Sequence, residues 1–337
     1  MVKKIIFSII LFLVFLEILL RFSGKYLTNN EKASGWYVFK YKIVNSGWLH
    51  TWKPNLVLDY KQAEFGYTNF YNELGHREQP FSNFLKDTSS IKIIAIGDSF
   101  TEGDGTCYDS TWVKKLSFLV DNNTSKKFNF YNAGVCGSDV FFNYQMLRLK
   151  LVKSKPKLVI ECLNTSDIDD VIWKGGQERF NSDSTSSVKI GPKWEKVYKN
   201  SHLFRAIIHR FLGYNENLIK INSIKEKELN AIDLIDNQVK QTAYYCKQNN
   251  INYVLLLQPC PAEIGMVNDE RQKLFLNKLS ELPFAINLFK PLNQFYATQS
   301  IKNFSWPING HYNSSGYWVL GNTIFNEIGK KDSTLFK

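Results

Sequence analysis

The apolar positions of this chain fall into three regimes. From Ile5 to Leu20 they run almost unbroken, with Ser8 and Glu17 as the interruptions. From residue 28 to 90 they are largely aromatic and irregularly spaced. From Ile91 onward, short β-branched runs alternate with helix-like stretches. The runs at 91–97 (IKIIAIG), about 128–133 (FNFYNA), 157–163 (KLVIECL), 252–258 (NYVLLLQ) and 284–288 (FAINL) predict strands. Helices are predicted at about 109–121, from a Ser138 or Asp139 cap to about Lys153, at about 229–248, at about 268–281, and from beyond His311 to about Ile328. Such alternation predicts an α/β fold, a parallel sheet with helices on both faces. No internal repeat is visible.

The first regime has the profile of a membrane segment. Lys3 and Lys4 precede the apolar run and Arg21 follows it. A spanning helix needs about 20 residues, a length reached here when the flanking basic side chains snorkel. A cleaved secretory signal has the same start, but no small-residue cleavage site follows Leu20. Residues 1–27 are therefore expected to be an uncleaved signal anchor, with the body outside the inner membrane.

Residues 28–90 form an aromatic-rich extension that includes Trp36, Tyr37, Trp52, Tyr60, Phe65, Tyr67 and Tyr71. Aromatics in a groove bind sugar rings; equally, they pack an extension onto a core, and the area each one buries favours packing. Asn72 to Arg77 reads as a turn carrying a charge toward the main domain. Residues 171–232 break the strand–helix rhythm and are expected to be an insertion over the sheet. His202 and His209 lie there, but two histidines without a carboxylate partner make a poor metal site.

With 337 residues, 44% hydrophobic and 22% charged, the chain can bury a sizeable core. The net charge of +11 is spread without a dense basic run or a basic stripe with stacking aromatics, so no nucleic-acid partner is indicated. The five cysteines have no CxxC and no zinc spacing. Gly103-Asp104-Gly105 is only part of a glycine-rich nucleotide loop. No cofactor is implied.

The first predicted strand stops at Gly97-Asp98-Ser99-Phe100. A serine at the carboxyl end of a strand in a parallel sheet stands where ligands bind. It is a nucleophile if a base reaches it, or else a helix cap. Three more polar clusters follow predicted strands or precede the last helix: Gly137-Ser138-Asp139, Asn164 to Asp167, and Asn309-Gly310-His311.

Together these clusters resemble the SGNH (GDSL-like) hydrolase family. IGDSFTEG matches its nucleophile block, and Asn132-Ala-Gly-Val-Cys-Gly137 its second block. LNTSDI at 163–168 stands in place of the third, G-x-N-D, and Asn309-Gly-His311 in place of the last, Asp shortly before His. The resemblance covers about 91–330. Asn72-x-x-Gly75-x-Arg77, and Glu17 and Arg21 in the anchor, also look like membrane-anchored bacterial members. It implies a three-layer α/β/α sandwich of the flavodoxin-like type. It implies Ser99 as nucleophile and His311 as base, with the backbone amides of Ser99 and Gly137 as oxyanion donors. Aligning the acid of the third block on Asp167 puts Ser166 where the family has a side-chain amide, with Asn164 as its substitute if the loop is shifted. Asp98 and Asp167 are supporting carboxylates.

The chain departs from the family pattern at Ser166 and at Asn309. An amide orients a histidine but does not neutralise an imidazolium. A Ser–His dyad, help from a remote carboxylate such as Asp167, or a weakened site each remain open. The function implied is ester hydrolysis through an acyl-Ser99 intermediate, with O-acetyl groups of an extracytoplasmic carbohydrate as the substrate class. The alternatives are an O-acyltransferase on a polysaccharide and a catalytically silent, membrane-tethered glycan-binding protein.

Overall fold

The computed structural model describes residues 2–22, 42–45, 48–180, 194–214, 220–266 and 269–336. The chain divides into two compact units, one drawn from residues 1–41 and 188–228, the other from 42–187 and 229–337.

In the first unit, the helix Val2–Phe22 buries none of its side chains. It is long and apolar enough to cross a membrane by length and composition. Its one acidic residue is not idle. Glu17 accepts hydrogen bonds from Ser201 Oγ (2.8 Å) and from the backbone N–H of His202 (3.0 Å) and Leu203 (2.8 Å), the amides that open the helix His202–Ala206. Arg21 pairs with Glu17 at 2.8 Å and donates to Asn200 O at 2.7 Å. His209 Nε2 lies 2.6 Å from the Tyr198 hydroxyl, and its Nδ1 lies 3.0 Å from Tyr214 O.

The second unit carries a five-stranded, all-parallel sheet. Numbered in chain order after four short strands described below, its members are β5 (Ile91–Gly97), β6 (Phe128–Asn132), β7 (Leu158–Leu163), β8 (Asn252–Leu257) and β9 (Ala285–Asn287). They lie in the order β6-β5-β7-β8-β9. Counted from the first strand this is 2-1-3-4-5, the flavodoxin-like order, and it confirms the expected fold class. The alternation of side chains along each strand feeds two cores. Ile93, Ala95, Val254 and Leu256 pack under the helices Trp112–Asn123, Phe289–Tyr296 and Ser314–Lys331. Leu163, Leu255 and Leu257 pack under the helices Val140–Leu149, Ser166–Lys174, Ile224–Gln248 and Glu270–Leu279. Both faces of the sheet are thus buried, which is why its strands read as continuous apolar runs.

Among its described residues, the extension expected to be irregular carries four short strands and the helix Phe81–Lys86. β1 (Lys42–Asn45) pairs antiparallel with β2 (Trp48–Trp52), and β3 (Val57–Lys61) with β4 (Gly66–Phe70). In β3 and β4 every second side chain turns inward, including Leu58, Tyr60, Tyr67 and Asn69. Its packing onto the sheet domain is as expected: Trp52 Nε1 and the Tyr71 hydroxyl both donate to the buried Glu102 at 3.0 Å. The aromatics at 36 and 37 lie outside the described residues, as do residues 181–193 and 215–219 of the expected insertion. The break in rhythm begins later than 171, because the helix Ser166–Lys174 still belongs to the strand–helix series. The helix Phe289–Tyr296 was not expected. Pro291 argues against a helix, yet it sits in the first turn, where its missing N–H costs nothing.

Candidate active site

Strands β5 and β7 flank the point where the strand order reverses, the place where open α/β sheets bind ligands. Ser99 follows β5 and Asn164 follows β7. Gly97 ends β5 at φ 154°, and a Cβ there would lie 2.3 Å from Thr101 Oγ1 and 2.8 Å from Cys162 O. Only glycine fits where the chain turns this closely against β7. Ser99 is not the helix cap. Asp98 fills that position, its Oδ1 accepting from Phe100 N–H at 2.9 Å, and Ser99 becomes the first residue of the short helix Ser99–Glu102. Its hydroxyl is thereby left free for another partner.

That partner is His311. Ser99 Oγ lies 2.8 Å from His311 Nε2, and His311 Nδ1 lies 2.8 Å from Asn309 Oδ1. Both contacts are hydrogen bonds when Nδ1 carries the proton, so Nε2 presents its lone pair to the serine. The loop that carries His311 is tied to itself by Trp306 N–H to His311 O (2.9 Å) and Gly310 N–H to Trp306 O (2.7 Å). Tyr312, fully buried, anchors it through Pro259 O at 2.8 Å.

The two backbone amides expected as oxyanion donors are those of Ser99, the first residue of its short helix, and Gly137, on the loop after β6. The N–H groups of Ser99 and Gly137 make no hydrogen bond among the described residues. Lys174 Nζ donates to Gly137 O, which fixes the following peptide. The two side-chain candidates bond within the fold. The Ser166 hydroxyl lies 2.5 Å from Asn164 Oδ1 and donates to it. Asn164 is fully buried, and its amide donates to Asp98 Oδ2 at 2.9 Å. The loop after β7 thus bonds these polar atoms within the fold.

The carboxylates differ as well. Asp167 is fully buried and accepts Asn164 N–H at 2.9 Å, so it braces the loop after β7 instead of assisting the histidine. Burial pushes the Asp98 carboxyl up, and it pushes Asp167 up further with the like charge of Asp98 beside it. The acid that does face the imidazole is Asp104, with Oδ2 3.8 Å from His311 Nδ1. Sequence reading had weighed Gly103-Asp104-Gly105 only as part of a nucleotide loop. Its position five residues beyond the serine, between two glycines, was the available signal.

Four charged residues brace this face. Arg77, buried, donates to Gly103 O (3.1 Å) and Thr106 O (2.8 Å). Glu102 accepts Cys136 N–H at 2.5 Å and so ties the serine helix to the Gly137 loop. Asp139 and Arg179 form a two-point ion pair at 2.5 Å, both fully buried.

No family model matches the chain, and no curated protein matches it. Solved structures do. The lipase Lip_vut3 from a goat rumen metagenome is 12% identical at a TM-score of 0.47, over 71% of this chain and 97% of that one. The acetylxylan esterase Axe2 of Geobacillus stearothermophilus is 14% identical at 0.45, over 72% and 95%. A two-domain esterase active on acetylated mannans is 11% identical at 0.44, over 75% of this chain and 52% of that one, so the chain spans about half its length. At identities this low and TM-scores below 0.5, none of them bears on what this chain binds or converts.

Proposed function

We propose that the protein is a serine esterase that works through an acyl-Ser99 intermediate. The observation that carries this reading is the 2.8 Å contact of Ser99 Oγ with His311 Nε2, with Nδ1 held by Asn309. The Ser99 hydroxyl proton passes to Nε2 as Oγ attacks the ester carbonyl carbon. The oxygen that becomes negative is met by the Ser99 and Gly137 N–H groups. Nε2–H then returns the proton to the departing alkoxide, leaving alcohol and acyl-Ser99. Water repeats the sequence through the same nitrogen and releases the acid. Asp98 and Asn164 hold the turn beneath the serine.

An acetylated carbohydrate is the substrate class we favour. Support comes from Phe65, stacked on Tyr67 with centroids 5.5 Å apart and meeting Trp306 at 5.3 Å, partly exposed beside the His311 loop. The helix Val2–Phe22 is read as an uncleaved anchor that holds this body outside the inner membrane.

The test uses the full chain in detergent micelles. Hydrolysis of p-nitrophenyl acetate and labelling by a fluorophosphonate are measured for wild type, Ser99→Ala and His311→Ala. The esterase reading requires that wild type turn over and label, and that both variants lose at least about a thousandfold in rate. Equal rates in all three sink it. A sugar acceptor that accelerates ester consumption without acid release moves the reading to an O-acyltransferase.

A further inference from the structure

We infer that Asp104 is the positioning carboxylate of this site, supplying from the serine loop the negative charge that Asn309 lacks. The inference rests on the esterase reading for its catalytic meaning, although its electrostatic content stands without turnover.

The geometry divides one task between two residues. Asn309 Oδ1, at 2.8 Å from Nδ1, selects the tautomer and aims the ring. It carries no charge and so does little for the imidazolium that forms when Nε2 takes the serine proton. Asp104 Oδ2, at 3.8 Å from Nδ1, is too long for a hydrogen bond but close enough for a strong charge interaction in a partly buried site. Its other oxygen is occupied. Oδ1 accepts from the Tyr67 hydroxyl at 3.1 Å and from Gly105 N–H at 2.9 Å, an arrangement that leaves Oδ2 turned to the histidine.

The loop holding Asp104 is fastened to the loop holding His311 and to the helix Ser314–Lys331 that follows it. Trp306 Nε1 donates to Gly105 O at 2.7 Å, and the Tyr317 hydroxyl to Asp104 O at 2.8 Å. Thr106 Oγ1 and Ser314 Oγ are 2.6 Å apart. Gly105 has φ 89°, and a Cβ on it would lie 2.6 Å from Tyr312 O. The two loops are therefore pressed together where the carboxylate meets the ring. Among the described residues, the other charged or titratable groups on this face include Asp98 beneath the serine, Tyr60, Glu64 and Tyr67 on the hairpin, Arg77 under the loop, and Tyr317 on the last helix, whose phenol burial and Asp104 both raise. Burial and the charge of Asp104 both raise the Tyr60 and Tyr67 phenols, so these stay neutral. The proton stays on Nδ1 throughout; Asp104 takes none.

The experiment reads the His311 ring directly. The full chain, in detergent micelles with ring-labelled histidine, is titrated by NMR, and His311 is identified by its absence in His311→Ala. Removing a negative charge disfavours the imidazolium, so Asp104→Asn should lower the His311 midpoint by about one pH unit. The acid limb of kcat/KM should move down with it, and kcat should fall about ten- to a hundredfold. Adding Asn309→Asp to Asp104→Asn should restore both midpoint and rate, which a merely structural role for the loop would not allow. Should Asp104→Asn not fold, Asp104→Ser keeps an acceptor for Gly105 N–H without the charge, and the same downward shift is required of it. An unmoved midpoint overturns the inference even where Ser99-dependent hydrolysis stands. Absent hydrolysis with a lowered midpoint overturns the esterase reading and leaves the charge pairing intact.

Discussion

The carboxylate of Glu64 accepts the backbone N–H of Asn309 at 2.8 Å, across 245 residues of chain. It also takes Ile308 N–H, at 3.0 and 3.1 Å to its two oxygens. The hairpin of β3 and β4 thus clamps the loop that aims His311. Glu64→Gln keeps the size and removes the charge from these bonds. Charge-assisted bonds at a partly exposed site are worth about 1 kcal/mol in net terms, so a loss of roughly fivefold in kcat is expected. Stopped assays on ester hydrolysis with the fold checked by circular dichroism decide it; an unchanged kcat removes the hairpin from the positioning scheme.

Arg77 carries a larger share of stability. Its guanidinium is buried, gives two hydrogen bonds to the carbonyls of the Gly103–Thr106 loop, and lies 5.3 Å from the Tyr67 ring centroid. Arg77→Met strands two buried carbonyls, for which about 2–4 kcal/mol is expected. Urea unfolding followed by tryptophan fluorescence measures this, and the same variant should lose hydrolysis as the Asp104 loop loosens.

The pair Asp139–Arg179 offers a sharper test. Burial alone would raise the Asp139 carboxyl, but the Arg179 guanidinium beside it holds it below the usual range. Asp139 also caps the helix Val140–Leu149 through Phe142 N–H at 3.0 Å. Arg179→Met leaves a buried, unpaired carboxylate and should cost about 3–5 kcal/mol at neutral pH. The cost should shrink as falling pH protonates the Asp139 left unpaired in the variant. A cost independent of pH would show that packing, not the lost ion pair, is responsible.

Glu161 gives the opposite pH dependence. It sits in the middle of β7, fully buried, bonded to Asn143 Nδ2 (3.0 Å) and to the Tyr253 hydroxyl (2.5 Å). Burial pushes its carboxyl up to about 7, above the ordinary carboxylate range. The folded chain then keeps a proton that the unfolded chain sheds, so its stabilising contribution is complete below about pH 4.5 and falls as pH rises to about 7. Glu161→Gln removes this slope. In paired urea titrations the variant should gain on wild type by about 1–3 kcal/mol between pH 5 and pH 8. A constant difference across that range would disprove the assignment.

The strand–helix series, the three-layer fold and the candidacy of Ser99 and His311, which the fold brings to 2.8 Å, were legible along the chain. They depend on local matters: β-branched runs that bury on both faces, glycine at a turn, and polar residues where strands end. The strands of the extension were hidden because many aromatics in a row obscure a two-residue alternation. Only the tertiary structure decided which polar group meets which. Ser166 and Asn164, both eligible donors by spacing, are consumed by one another and by Asp98. Asp167, a plausible helper by proximity in sequence, is folded into its own loop, while Asp104 reaches His311 because the strand order brings the loop after β5 against the loop before the last helix. Contacts of that kind follow from strand order and loop path. Periodicity is a property of neighbours along the chain, and it carries no record of which loops the assembled sheet will set side by side.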